Sequence, residues 1–127
     1  MDTKGYQNYK EQSIYTMTQG ELLLLLYDEL VKRLTLAELA LDKKNYDLFE
    51  ASIQRGIDIV RYLNGILDRR YPISRELARM YEYFIYDLGR AKIGRNATVL
   101  THIKKLSMEL RDAFRQADKN AEAEKLG

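Results

Sequence analysis

Four stretches of the chain repeat apolar residues at steps of three and four, which is the spacing of one face of an α-helix. The pattern predicts helices over about 19–42, 46–68, 75–93 and 97–119, and no stretch alternates as a strand would. Because the links between the predicted helices are short, neighbouring helices should run antiparallel. The predicted fold is therefore an all-α, antiparallel up-down-up-down four-helix bundle.

Residues that favour helix ends stand between the four stretches. Thr18 and Glu21 have the spacing of a capping box, and Pro72, the single proline, marks the connection before the third helix. The other predicted ends are N-caps at Asn45, Ser74 and Asn96 and a C-cap glycine at Gly94. These ends place the bundle at residues 18–119, an N-terminal arm at 1–17 and a polar tail at 120–127.

Residues that usually carry catalysis or hold metals are scarce. The chain has no cysteine and one histidine, and Val99 stands where a di-iron bundle would need a glutamate three residues before His102. No phosphate-binding glycine loop and no nucleophile elbow is present. The sequence therefore predicts a protein that is not an enzyme and uses no cofactor.

Hydropathy and charge limit the other function classes. The longest apolar run, Leu22 to Tyr27, is far shorter than the roughly 20 residues of a membrane span, and the N-terminus lacks the apolar core of a signal peptide. A cytoplasmic protein without a membrane span is expected.

Two features raise the possibility of nucleic-acid binding. Residues 69–105 are basic although the net charge of the whole chain is only +2, and the segment from Gly94 to Lys105 resembles a helix-turn-helix recognition helix. The long flanking helices argue against nucleic-acid binding, and a DNA-binding regulator stays a minor alternative.

The chain carries more apolar and aromatic residues than one seam per helix can bury. Leu22 to Leu26 are five consecutive leucines and surround the first helix, and ten tyrosines occur without a tryptophan. Further apolar residues flank the seams of the second and third helices: Ile59, Tyr62, Ile66, Tyr83 and Tyr86. A wide core would explain each of them singly. Together they favour a groove that accepts an amphipathic helix of a partner protein.

Short motifs of the chain resemble one family in order and spacing. The first motifs are Tyr9-Lys10-Glu11-Gln12-Ser13-Ile14-Tyr15-Thr16, Glu21-Leu22 and Leu25-Leu26-Tyr27-Asp28, and the later ones are Met80-Tyr81-Glu82-Tyr83 and Leu110-Arg111-Asp112-Ala113-Phe114. This set resembles the FliS family of flagellin export chaperones over roughly residues 6–118. The chain departs from the family pattern at Gln19-Gly20, at Glu29, at Phe114 and in the connection Arg69-Arg70-Tyr71-Pro72-Ile73-Ser74.

The resemblance implies a cytoplasmic chaperone. It would bind the C-terminal segment of flagellin, prevent premature polymerisation and deliver the client to the flagellar export gate, a type III export apparatus, with the N-terminal segment as a mobile cap. The expected partner-binding residues are Tyr6, Tyr9, Ile14, Thr16, Leu22, Tyr27, Ile59, Tyr62, Ile66, Tyr81 and Tyr83. A helical adaptor of flagellar or type III secretion with a different client is the alternative, and a weak homodimer through the same groove stays open.

Overall fold

The computed structural model describes residues 17–126, which form four helices joined by short connections. The helices are α1 (Gln19–Asp42), α2 (Tyr46–Gly65), α3 (Ile73–Gly94) and α4 (Ala97–Leu126). Each helix packs against the next one along the chain, and α4 also packs against α1, which closes a ring of antiparallel neighbours. The predicted all-α four-helix bundle is confirmed. Residues 1–16, which make up most of the predicted N-terminal arm, lie outside the described residues.

The apolar residues that recur at steps of three and four form the core. Those of α2 and α3 are buried along both helices. Tyr27 on α1 and Tyr81 on α3 add two buried phenol rings. The two hydroxyl groups hydrogen-bond to each other, and the Tyr27 ring stacks on Phe114 of α4 with the ring centroids 5.3 Å apart. The pair therefore satisfies both buried hydroxyl groups without water. No helix within residues 17–126 is long and apolar enough to cross a membrane.

Polar side chains attach α4 to α1 outside the core. Glu38 on α1 accepts hydrogen bonds from Lys104 Nζ and Thr101 Oγ1 on α4, each at 2.7 Å. Partial burial raises the pKa of Glu38, but the two hydrogen bonds lower it by more than burial raises it. The pKa of Glu38 therefore lies below its ordinary value. At the other end of α1, a Cβ atom on Gly20 would overlap the Asp118 carboxylate. The Asp118 side chain therefore occupies the space that a side chain at position 20 would take.

Three predicted N-caps are confirmed, at Thr18, Asn45 and Asn96. In each case the side-chain oxygen accepts a hydrogen bond from the backbone N–H three residues later: Glu21 (3.1 Å), Leu48 (3.3 Å) and Val99 (3.1 Å). These bonds satisfy donors that a helix cannot satisfy by itself. The start points of α1, α2 and α4 follow directly from them.

The predicted ends of α3 are wrong at both positions. The helix begins at Ile73 with Pro72 at the N-cap, and Ser74 is buried inside the first turn instead of capping it. Proline already has the backbone φ of a helix start, so the helix begins before the serine. At the other end Gly94 is still helical, and Arg95 takes the left-handed conformation with φ 48°. The Arg95 guanidinium stacks on the Tyr46 ring at 3.6 Å, which helps to hold this backbone.

Two other helix ends differ from the prediction. Helix α2 ends at Gly65 instead of residue 68, because the Asp68 side chain accepts the Arg70 backbone N–H and forms a turn instead. Helix α4 continues to Leu126, through residues 120–126 that were expected to form a polar tail. This segment is polar, but alanine, glutamate and lysine are strong helix formers and no breaker occurs before Gly127.

Substitution of Lys44 should reveal strain in the α1–α2 connection. Lys44 has φ 59°, a region that glycine occupies without steric cost, whereas Lys43 has φ −85°. We expect Lys44→Gly to raise the free energy of unfolding by about 0.5–1 kcal/mol. Lys43→Gly is the matched control and should lower it by about the same amount. Urea denaturation measures both, and a change in the same direction in both variants would contradict the strain.

Candidate functional site

An apolar cavity of about 500 Å³ opens at the end of the bundle where α1 begins and α2 ends. All four helices contribute to its walls. Its apolar lining consists of Leu23, Leu63, Ile66, Leu67, Tyr71, Ile73, Leu77, Tyr81 and Phe114. We call it the end cavity. A space of this size can take several apolar side chains of a partner.

The early end of α2 creates this cavity. Ile66 and Leu67 leave the helix and turn across the bundle end, and Tyr71 and Ile73 follow in the connection to α3 with 60% and 59% of their surface exposed. Ser74 also lines the cavity, and its buried Oγ has no hydrogen-bond partner among the described residues. Exposed aromatic and aliphatic side chains beside an unsatisfied hydroxyl group are typical of a binding surface and atypical of a finished core.

A second apolar depression, the outer groove, lies between the outer faces of α1 and α2. It has a volume of about 380 Å³, is lined by Leu22, Leu25, Leu26, Ile59 and Tyr62, and has Arg55 and Asp58 at its rim. Neighbouring residues of α1 and α2 divide between the two spaces, since Leu22 and Tyr62 line the groove whereas Leu23 and Leu63 line the end cavity.

The position of the outer groove explains four of the five consecutive leucines. Leu23 packs against the core, Leu22 and Leu25 line the groove, and Leu26 does both. The run therefore supplies both the bundle seam and an apolar surface outside it.

A basic concavity adjoins the end cavity on its other side. This arginine pocket, of about 460 Å³, is lined by Arg69, Arg70, Tyr71, Pro72, Arg75, Glu76 and Arg79. Tyr71 lines both spaces. Arg70 is engaged by Asp68 at 2.7 Å, and the hydrogen bonds from Arg70 lower the pKa of Asp68 to about 2.

The structure brings several of the expected site residues together. Leu22, Ile59 and Tyr62 all line the outer groove, and Ile66 lines the end cavity. Tyr83 is exposed on α3, away from both spaces. The expected residues Tyr6, Tyr9, Ile14 and Thr16 lie outside the described residues.

Two expected contact residues are buried in this structure. Tyr27 and Tyr81 are 0% and 1% exposed, and each satisfies its hydroxyl group with the other. Tyr81 forms part of the floor of the end cavity, while Tyr27 lies beneath it against Phe114. Both rings support the end cavity from the core, and Tyr81 also forms part of its lining. Direct contact of either residue with a partner stays a prediction.

Several cavity residues were missed by the sequence analysis. Leu63, Tyr71, Ile73 and Phe114 line the end cavity but were not assigned to a site. The cavity combines residues from distant parts of the chain, so no single stripe predicts it. One local signal was present, because Tyr71 and Ile73 flank the proline in a connection where polar residues are usual.

Nothing in the described part of the chain forms a metal site. No group of three or more His, Asp or Glu side chains within residues 17–126 is close enough to hold a metal ion. The candidate site consists of the end cavity, the outer groove and the arginine pocket.

Comparison with known proteins agrees with this kind of site. A family model described as "Flagellar protein FliS" matches residues 2–121. The chain belongs to the FliS family. The resemblance seen in the sequence motifs is thus confirmed, and FliS is a family of chaperones, not of enzymes.

Individual FliS proteins are similar over most of their length. The flagellar secretion chaperone FliS of Bacillus subtilis (strain 168) is 30% identical over 112 residues, which cover 88% of this chain and 84% of that protein. A solved structure, described as a crystal structure of a flagellar chaperone from bacteria, has a TM-score of 0.76 at 17% identity and covers 94% of this chain and 99% of its own. The second likeness supports the four-helix fold.

Proposed function

We propose that this FliS-family protein is a cytosolic chaperone that binds the C-terminal helical segment of flagellin. It keeps that segment from polymerising prematurely and delivers it to the export gate of the flagellar type III apparatus. The observation that carries the proposal is the open end cavity, whose walls are apolar and come from all four helices. Family membership directs the choice of client to flagellin.

The two apolar surfaces suit a client that is helical in part. A filament subunit uses amphipathic terminal helices to pair with its neighbours, and such faces aggregate when they are exposed. The outer groove and the end cavity offer two apolar surfaces, both formed in part by the first half of α1 and the later part of α2. Ordering a disordered client costs a few kcal/mol, which burial of apolar surface in these two spaces offsets.

We further propose that the N-terminal segment competes with the client. Gln19 at the start of α1 lines the end cavity, so the chain enters the bundle beside it. The preceding segment carries Tyr6, Tyr9, Ile14 and Thr16, whose two phenol rings and isoleucine side chain are of the kind that an apolar cavity accepts. In this proposal the segment covers the cavity in the free protein and leaves it when flagellin binds or when the complex meets the export gate.

Titration calorimetry of the full chain with the C-terminal segment of flagellin from the same genome tests the function. Saturable binding with a negative heat-capacity change is expected, because apolar surface is buried while the client folds. Absence of heat and of complex in size-exclusion chromatography would reject flagellin as the client. The alternative, an adaptor for another secreted protein, would then gain support if a different secreted flagellar subunit bound.

A pair of tyrosine variants tests which surface is used. Tyr62 lies in the outer groove and Tyr86 lies on the exposed face of α3, and both are more than half exposed. We expect Tyr62→Ala to weaken flagellin binding about tenfold or more, because a buried aromatic anchor is worth roughly 1–3 kcal/mol at an interface. Tyr86→Ala is the matched control and should bind as the unmodified protein does. Equal affinities of the two variants would exclude the outer groove.

A further inference from the structure

The arginine pocket and the end cavity form one continuous surface, because the Tyr71 ring lines both. Arg75 and Arg79 lie one turn apart on α3, and Arg69 lies in the preceding connection, so three guanidinium groups border the same concavity. The connection that carries Arg69 is one of the places where the chain departs from the motifs of the family.

The three guanidinium groups are available to a partner. Arg70 is held by Asp68, whereas no ion pair within 4.0 Å involves Arg69, Arg75 or Arg79 among the described residues. All three side chains are exposed, and Glu76 is the single carboxylate that lines the pocket. Arg69, Arg75 and Arg79 outnumber the one carboxylate of the pocket, and such an excess of positive charge attracts a negatively charged group.

A second feature of the same surface also lacks a partner. Ser74 is 2% exposed and lines the end cavity, and its Oγ forms no hydrogen bond within residues 17–126. A buried hydroxyl group that faces an open cavity is satisfied when a bound molecule supplies a donor or an acceptor. A polypeptide supplies both from its backbone.

The N-terminal segment of the chain does not match the charge of the pocket. Residues 1–16 contain two acidic side chains, Asp2 and Glu11, and two basic ones, Lys4 and Lys10. An excess of carboxylates must therefore come from another molecule. Because the pocket continues into an apolar cavity, a peptide with apolar side chains beside acidic ones fits the surface better than a nucleic acid does.

We infer that the arginine pocket selects clients whose apolar anchor is flanked by acidic residues, with Arg69, Arg75 and Arg79 as the specificity-determining side chains. The inference rests on the proposed function and adds a substrate class to it. The apolar part of the client enters the end cavity, and its backbone meets the Ser74 hydroxyl. The acidic flank passes Tyr71 and lies against the three arginines, which also orients the client along the bundle end.

The test measures the affinity of the full chain for a fluorescent C-terminal flagellin segment from the same genome at about 50 mM and about 500 mM salt. The variant is Arg69→Gln/Arg75→Gln/Arg79→Gln, and the matched control Lys32→Gln/Lys105→Gln/Lys119→Gln removes the same charge at exposed positions elsewhere. A second flagellin segment carries amides in place of its carboxylates. Thermal unfolding followed by circular dichroism establishes that each variant is folded.

At low salt the arginine variant should bind the native segment about tenfold more weakly than the unmodified protein does, because each exposed ion pair raises the affinity by a factor of a few. The lysine control should bind normally. The difference in affinity between the unmodified protein and the arginine variant should largely disappear at high salt. At either salt concentration the arginine variant should bind the native segment and the amide segment equally well.

The outcomes separate the two proposals. Normal binding by the arginine variant overturns the inference and leaves the chaperone function standing, whereas no binding by the unmodified protein overturns both. Binding of a short DNA duplex that depends on the same arginines, with flagellin affinity unaffected, would assign the pocket to nucleic acid and overturn the inference.

Discussion

Above about pH 10 the bundle is expected to lose free energy of unfolding through Tyr27 and Tyr81, by at most about 1.4 kcal/mol per pH unit for each phenol that stays protonated in the folded state. Burial raises the pKa of both phenols above the ordinary value of 10.0, and for Tyr27 the hydrogen bond to Tyr81 raises it further. The unfolded chain releases both protons from pH 10 upward, while the folded bundle retains them. The stabilisation is therefore complete below pH 10 and is lost as the pH rises towards the folded pKa values.

Paired phenylalanine variants isolate this effect. Tyr27→Phe alone leaves the Tyr81 hydroxyl buried without its partner, which should cost about 1–3 kcal/mol at neutral pH. Tyr27→Phe/Tyr81→Phe removes both hydroxyl groups and should be nearly as stable as the unmodified protein. Urea denaturation between pH 8 and about pH 11 should then show a smaller alkaline loss in the double variant. The other tyrosines and the lysines are common to both proteins, so equal losses would contradict the role of the pair.

The sequence predicts the helices because each helix follows from residues close together in the chain. The stripe from Phe49 to Leu63 sets the inward face of α2 through spacing alone, and Asn45 sets its start through one local hydrogen bond. The prediction fails where two local signals compete. Pro72 and Ser74 both favour the start of α3, and the proline prevails because its backbone is already helical.

The candidate site is less predictable because it depends on distant residues. The family resemblance placed Tyr27 and Tyr81 on a contact surface, whereas in the structure each phenol supplies the partner that allows the other to be buried. Leu63 and Phe114 meet at the end cavity only when α2 and α4 are packed. Periodicity places a residue on a helix face, but it does not show where neighbouring helices leave a gap.

Filling the end cavity at Ser74 is expected to change stability and client binding in opposite directions. Ser74→Leu replaces an unsatisfied buried hydroxyl group with an apolar side chain that has about 500 Å³ of open cavity beside it. The free energy of unfolding should rise by about 1–2 kcal/mol. The same side chain occupies the space that the proposal assigns to the apolar anchor of flagellin. The affinity of the Ser74→Leu variant for flagellin should fall about a hundredfold or more, which corresponds to the loss of one well-buried anchor.

Ser74→Ala is the matched control, because it removes the hydroxyl group without filling the cavity. This variant should also be more stable, since no unsatisfied hydroxyl group remains, but it should lose at most the one hydrogen bond to the client and bind up to about tenfold more weakly. Thermal denaturation and titration with the flagellin segment measure both properties on the same samples. A leucine variant that is stabilised and still binds flagellin normally would show that the client does not enter the end cavity. Binding would then be confined to the outer groove, where Tyr62→Ala remains the decisive substitution.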